Sequence, residues 1–495
     1  MSRTNRNVVE RWYITGTLEL TSPTSLSNGD DDPLVDLPIV VDPLKGVALL
    51  TGASLAGALR AYVAEFDPTY ATVLFGGVRG DPDGTQSALI VEDALGDKPV
   101  PELRDGVSID PATRTAKERE RYDRQLLPAG IKFGLGFELI VTTRDDPAQL
   151  AAALATALRG LEQGDIRLGG RKRRGYGQCQ AISWQAWRYD LRTAEGMCGW
   201  LAHGRDGWPG YQGPQYAWPR EENDTGILDW SALPDVSQVS RQNPPLTLAA
   251  AFDIDGAVLI RHGFETESGP DATHLRSRRG DDVVPVMSGT SLAGVIRAQA
   301  LRIARTMAAP GGEAGQQRAE ALVRGMFGYM QRPDELPPSS DGRRNRRDLM
   351  KQASRVTVDE SVIEGQQDLV QTRVKIDRFT GGAFESALFA EQPVFGGGFT
   401  LNLALRQPEP AEIGLLLLVL KDLWTGFLPV GGSSSVGRGR LKGRAAQIEY
   451  GSNKWTLVAD GAEKVTLSPD GAAEALNKYV TAFTQYVTGG RDGGQ

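Results

Sequence analysis

Trp12, Ile14, Leu18 and Leu20 alternate with less apolar residues near the start of the chain, the pattern of a strand with one buried face. Leu55, Leu59, Tyr62 and Phe66 then fall at helical spacing, with Ser54 the expected N-cap. Alternation returns at Phe133, Leu135, Phe137, Leu139 and Val141. Asp146-Pro147 opens a second helix, proline being tolerated at the first helical position, and Leu150, Leu154, Leu158 and Leu161 form its apolar face. A loop, GGRKRRGYG (169–177), and another strand follow. The same order comes round again. Leu401, Leu403 and Leu405 alternate, Pro410 opens a helix through about Trp424, and GGSSSVGRG (431–439) follows. The outline is strand, helix, long excursion, strand, helix, loop, strand.

Short sequences repeat with the pattern. TGASLAGALR (51–60) returns as SGTSLAGVIR (288–297), an offset of 237. Leu74-Phe75-Gly76 returns as Met326-Phe327-Gly328, SALIVED (87–93) as SRVTVDE (354–360), and Ile109-Asp110 as Ile376-Asp377, the last two at an offset of 267. Both glycine loops read Gly-Gly, four residues, Gly-x-Gly, at an offset of 262. Drifting offsets in a fixed order are what loop insertions produce in a duplicated domain. Each copy reads as α+β and fits a ferredoxin-like sheet with helices on one face, which is also the platform of a common RNA-binding module.

The expected organisation is a first domain over 1–182, a linker over 183–245, a second domain over 246–485 and a flexible tail over 486–495. Six of the nine tryptophans fall in the linker: Trp184, Trp187, Trp200, Trp208, Trp218 and Trp230. They read first as anchors packing the linker on its neighbours, and alternatively as a surface that stacks bases or a partner.

The 495 residues allow two to four domains, and 40% hydrophobic residues suffice for sizeable cores. A formal charge of −7 does not mark the whole molecule as a nucleic-acid binder, so any such role must lie in local patches. Two cysteines, Cys179 and Cys198, exclude a disulfide framework, and three histidines, His203, His262 and His274, leave few acid–base candidates. The longest apolar run, Leu415–Leu420, is far short of a membrane span, and a reducing cytoplasm is the expected compartment.

Candidate chemistry lies in charged loops. The loop at 169–177 sets Arg171, Lys172, Arg173 and Arg174 between glycines, so cations and exposed backbone N–H groups converge as a phosphate site requires. It is not a Walker loop, since no Gly-Lys-Ser/Thr follows at the right spacing. In the second copy the cations thin to Arg438, Arg440, Lys442 and Arg444. Further basic clusters are Arg276, Arg278 and Arg279, and GRRNRRDLMKQASR (342–355). NGDDDPLVDLPIVVDP (28–43) gathers Asp30, Asp31, Asp32, Asp36 and Asp42, oxygen ligands suited to a divalent ion or simply a polar loop.

These motifs, in this order and twice over, resemble the RAMP superfamily, and more narrowly the backbone subunits of type III CRISPR–Cas effector complexes in the tandem form of subtype III-D. RVKIDRFTGGAFESALFAEQPV (373–394) is the most specific piece, with GVSIDPATRTAKERERYDRQLLPAG (106–130) its counterpart. The resemblance implies two tandem RAMP domains that coat a guide RNA alongside other effector subunits and position a complementary target RNA. Contacts to the guide would come from Ser54, Arg60, Gly169, Gly170, Arg171, Lys172, Arg173, Arg174 and Gly175. In the second copy they would come from Ser291, Arg297, Gly431, Gly432, Ser433, Gly437 and Arg438. Thumb-like β-hairpins around Ile109 and Asp110, and around Ile376 and Asp377, would press into the guide–target duplex and flip out a target nucleotide. A loop aspartate beside it would support metal-dependent cleavage with Mg²⁺ or Mn²⁺.

In the family pattern that aspartate opens D-x-P-h-h-x-D-P, sixteen residues before the glycine of G-x-SLxG. Asp36, sixteen before Gly52, fits and is the expected catalytic and metal-binding residue, with Asp30, Asp31 and Asp32 as further candidates and Asp42 shaping the strand start. In the second copy the sixteenth residue before Gly289 is Thr273, and Asp271 fills the role only if the loop is reset by two residues. The first copy therefore fits better as a nuclease. His274 is a further candidate near the scissile phosphate. Two other readings stay open: a scaffold that binds RNA without cutting, and an endoribonuclease that processes the guide precursor.

Overall fold

The computed structural model describes residues 7–27, 36–77, 84–109, 116–203, 215–216, 236, 239–262, 269–330, 351–460 and 464–489. The first copy runs β1 (Val8–Leu20), α1 (Gly52–Val63), α2 (Pro68–Phe75), β2 (Leu89–Val91), β3 (Glu102–Ile109), β4 (Ala116–Leu126), β5 (Lys132–Thr142), α3 (Pro147–Glu162), β6 (Cys179–Asp190) and α4 (Ala194–Ala202). Its sheet has the order β2-β5-β1-β6, every pair antiparallel, with Gln215–Tyr216 added at the β6 edge. Trp12, Ile14, Leu18 and Leu20 are all buried, as the alternation requires, and face α1 and α3 in one core with Phe133, Phe137, Leu154 and Leu158.

The second copy runs β7 (Leu246–Asp255), β8 (Arg261–His262), β9 (Ala272–His274), β10 (Arg276–Arg279), α5 (Gly289–Ala308), α6 (Gly312–Phe327), β11 (Val356–Val358), β12 (Gln371–Ile376), β13 (Ala383–Gln392), β14 (Gly398–Leu405), α7 (Pro410–Trp424) and β15 (Arg440–Tyr450). It continues into β16 (Asn453–Asp460), β17 (Lys464–Ser468) and α8 (Ala472–Thr488). The order β11-β14-β7-β15 repeats the first sheet, and β16 and β17 extend it. Even irregularities recur. A bulge interrupts β1 against β6 between Thr17 and Leu18, and β7 against β15 between Ala251 and Phe252. The excursions form antiparallel hairpins, β3–β4 and β12–β13, with register shifts at Val107/Ile109 and at Val374/Ile376.

Three local expectations change. The α1 N-cap is Thr51, whose hydroxyl accepts from Ser54 N; Ser54 stands two residues inside the helix. Thr51→Ala is expected to lower stability by about 1 kcal/mol in thermal unfolding, while Ser54→Ala has the smaller effect. The domain boundary at 183 falls inside β6: Trp184 is wholly buried in the first core and Trp187 lies in the same strand, so this copy extends at least through α4. The tail boundary at 485 falls inside α8, which packs on α7 and has no counterpart among the described residues of the first copy.

Candidate nucleic-acid interface

The loop carrying Asp36 runs beside β4. Leu37 forms a parallel bridge with Arg124, Gln125 N donates to Leu37 O at 3.0 Å, and Asp36 Oδ2 accepts from Asp123 N at 2.9 Å. The second copy builds the same joint. β9 pairs in parallel with β13, Ala272 opposite Glu391, and Asp271 Oδ2 accepts from Ala390 N at 2.6 Å. Asp123 and Ala390 are 267 residues apart, the offset that also relates Ile109 to Ile376. The structural counterpart of Asp36 is thus Asp271, not Thr273. Both aspartates are exposed beside the returning strand of a hairpin. Asp42 is a turn residue, its Oδ1 accepting from Leu44 N at 3.1 Å and Lys45 N at 2.6 Å. Among the described residues no group of three or more His, Cys, Asp or Glu is placed to hold a metal ion. Asp30, Asp31 and Asp32 lie outside the described residues, as do Asp110, Trp208, Trp218 and Trp230.

Each hairpin exposes apolar side chains. Leu103, Val107 and Ile109 do so on the first, and Val374, Ile376, Phe384, Leu388 and Phe389 on the second. Phe379 at the second tip is 100% exposed. Asp377 shapes that tip by accepting from Phe379 N at 2.7 Å.

The two glycine loops share one backbone. Gly169, Arg171, Gly175 and Gly177 have positive φ, as do Gly431, Ser433, Gly437 and Gly439. Gly170 N donates to Ser25 O at 2.8 Å and Gly432 N to Leu259 O at 2.7 Å, so these two N–H groups hold the loops to their own domains. The first loop lies against the second copy. A Cβ on Gly175 would stand 2.5 Å from Glu360 N, and one on Gly289 would stand 2.5 Å from Val358 O and 2.8 Å from Arg174 O. This is a position where only glycine lets two backbones meet. Charged contacts fasten the joint. Arg167 grips Asp359 through both nitrogens at 2.6 and 3.0 Å, Gln178 adds a bond to Asp359 at 2.8 Å, and Arg173 donates to Ser354 O. Arg104 and Arg279 both bind the fully buried Glu360, at 2.7 and 2.9 Å.

Beside this joint lies a cationic cluster. Arg124 is 4% exposed and lies over the Tyr122 ring, 5.1 Å from its centroid; Arg171 covers the same ring at 4.6 Å. Arg174 stands close to Arg171 and to Arg297 of α5. Burial first, and the neighbouring positive charges second, lower the proton affinity of Arg124, Arg174 and Arg297. Among the described residues none of these four guanidinium groups has a carboxylate partner. Crowded, partly buried like charges are costly alone and are relieved by a polyanion. They border the first turn of α5, whose N-cap Ser288 makes no side-chain bond to it, and Ser291 lies in that turn.

The remaining candidates have other positions. Arg60 donates to Gly76 O at 3.0 Å and closes the end of α2. Arg438, expected to touch RNA, is 4% exposed and binds Glu391 at 2.9 Å and Gln371 at 2.8 Å, so it clamps the base of the second hairpin. His274, expected near a scissile phosphate, is 3% exposed; Ile260 N donates to its Nδ1 at 3.2 Å and its Nε2 meets Val286 O at 3.1 Å. Trp187 and Tyr189 pack edge-on against His203, which stacks on Tyr13 at 4.3 Å, while Trp200 Nε1 donates to Tyr13 OH at 3.0 Å. These tryptophans anchor α4 on the sheet.

No helix among the described residues is long and apolar enough to cross a membrane. No curated protein matches the chain. The family model of the RAMP superfamily matches twice, over residues 17–180 and 245–442, each match taking in one hairpin and one glycine loop. The chain belongs to the RAMP superfamily and carries its domain in tandem.

Proposed function

We propose that this chain is an RNA-binding backbone subunit of a type III CRISPR effector, built from two ferredoxin-like domains, that holds guide RNA and cleaves complementary target RNA in the cytoplasm. RAMP proteins commonly bind CRISPR RNA, and the cationic cluster of Arg124, Arg171, Arg174 and Arg297 supports that role here. The cleavage reading rests above all on one observation: the same exposed aspartate is fastened at the same register to a hairpin strand in both copies. In this mechanism the apolar hairpins displace a target nucleotide and expose its phosphodiester. The ribose 2′-oxygen then attacks the adjacent phosphorus, giving a cyclic phosphate and a 5′-hydroxyl.

Each described site offers one exposed carboxylate with one oxygen engaged by the backbone. That suits Mg²⁺ or Mn²⁺, which use one or two carboxylates together with phosphate oxygens and waters. Asp36 and Asp271 would hold the ion, with Asp30, Asp31 and Asp32 further candidates in the first copy. When bound, it would stabilise charge on the phosphorus and the leaving oxygen.

RNA binding is tested by titrating guide RNA over a range of salt. Replacing Arg171, Arg174 and Arg297 together by alanine is expected to weaken binding about tenfold or more and to flatten the salt slope by about 0.7 per lost phosphate contact. Unchanged affinity and slope would move the RNA path elsewhere.

A further inference from the structure

His262 lies outside both the core that encloses His274 and the aromatic stack around His203. It lies half-buried on β8, which pairs antiparallel with β9: Arg261 stands opposite His274, and His262 opposite Thr273. Asp271 directly precedes β9. Residues two apart in an extended chain share a face, so Asp271 and Thr273 project together, and a directly opposed residue projects to that same side. One step beyond the paired register, His262 and Asp271 fall at diagonal positions, which lie about 7–8 Å apart with the Cβ atoms somewhat closer, a gap that a ribose and its phosphate can bridge.

The third wall comes from the other copy. Glu102 of the first hairpin accepts from Arg278 N at 2.6 Å and from Ser277 Oγ at 3.1 Å, which brings β3 against this ribbon. Asp105, Arg104 and Glu102 are the charged groups of that hairpin that act on His262. Burial lowers the proton affinity of His262 and Arg104 lowers it further, while Asp105 and Glu102 raise it; the net direction is down, so the ring is neutral at pH 7.

Building on the cleavage reading above, we infer that His262 is the proton-transfer residue of the second site, presented beside Asp271 by the first copy's hairpin. The neutral imidazole takes the 2′-hydroxyl proton as the 2′-oxygen bonds to phosphorus. The bond from phosphorus to the 5′-oxygen breaks, and the imidazolium or water returns a proton to that oxygen. The products are a 2′,3′-cyclic phosphate and a 5′-hydroxyl, with charge and protons balanced. Asp105 is a positioning residue that acts through His262.

The test uses the effector assembled on guide RNA, end-labelled complementary RNA and Mg²⁺, with cuts mapped separately for the two copies over pH 5–9. His262→Gln is expected to slow the Asp271-dependent cut about 100-fold or more, and to abolish the rise of that rate with pH, while the Asp36-dependent cut keeps its rate. Asp105→Asn is expected to move the rising limb to lower pH, because it removes a charge that favours the protonated ring. A role confined to packing moves neither profile. If Asp271→Ala removes the cut but His262→Gln leaves its rate and pH profile intact, His262 is not the proton carrier. If the unsubstituted complex cuts at neither site, the cleavage reading fails and this inference with it.

Discussion

Asp36→Ala is expected to remove one cut from the target RNA and Asp271→Ala a second, each rate falling by about 100-fold or more, while guide binding stays within twofold. The size follows from the loss of a charge that stabilises the transition state in a site otherwise lined by backbone and hairpin. The same carboxylates also fasten their loops to Asp123 N and Ala390 N, so alanine removes a positioning bond together with the charge. Asp36→Asn and Asp271→Asn separate the two effects, because the amide oxygen still accepts from the backbone. Loss of cleavage in the asparagine variants assigns the effect to charge, and recovery assigns it to loop position. A full set of cuts in all four variants would make the chain a scaffold.

The second large effect concerns the joint between the copies. Glu360→Ala is expected to destabilise the chain by up to about 3–5 kcal/mol, read from urea unfolding, because Arg104 and Arg279 would lose the buried carboxylate they share and Arg104 would keep only Glu102, at 3.1 Å. Both partners are nearly inaccessible, with 3% side-chain exposure for Arg104 and 0% for Glu360, so solvent screening offers little relief. Adding Arg104→Met to the variant is expected to restore part of the loss, since the stranded charge goes with it. The pH dependence has a definite sign. Burial alone would raise the Glu360 carboxyl, but Arg104 and Arg279 hold it below the usual 4.5. The stability it contributes is therefore complete above about pH 5 and is lost as the pH falls through its lowered value. An acid-unfolding profile that is the same for the native chain and for Glu360→Gln would contradict this account.

Much of this architecture was legible in the chain because it is written as alternation and spacing. The buried faces of β1 and β5, the Asp146-Pro147 start of α3, the limits of α7 and the duplication needed only local pattern. What escaped depends on partners distant in sequence. Arg438 reads as a loop cation, yet Glu391 and Gln371 draw it inside. His274 reads as a candidate near the scissile phosphate, yet two backbone groups enclose it. Arg104 and Glu360 are 256 positions apart, and nothing local announces their pairing. Asp271 could not be chosen over Thr273 by counting back from Gly289, because a loop's length does not record its path. The parallel bridge to β13 identifies it. Cap positions are similarly ambiguous by a residue or two, hence Thr51 in place of Ser54.

The joint through Gly175 and Gly289 also carries a direction. It brings the loop and hairpin of one copy against the helix start of the next, two different surfaces rather than one surface meeting itself. Contacts of that kind have no two-fold axis and do not close a pair. The chain is accordingly a polar unit with two unlike ends: the second copy's serine-bearing loop at one, the first copy's α1 start at the other. The donors Arg104 and Arg167 have no arginine counterparts in the second copy, where Gln371 and Pro429 stand at the matching offsets of 267 and 262. The free ends therefore do not reproduce the internal joint. A second chain stacked head to tail on this one would therefore not find the Arg104 and Arg167 contacts that join the two copies within it.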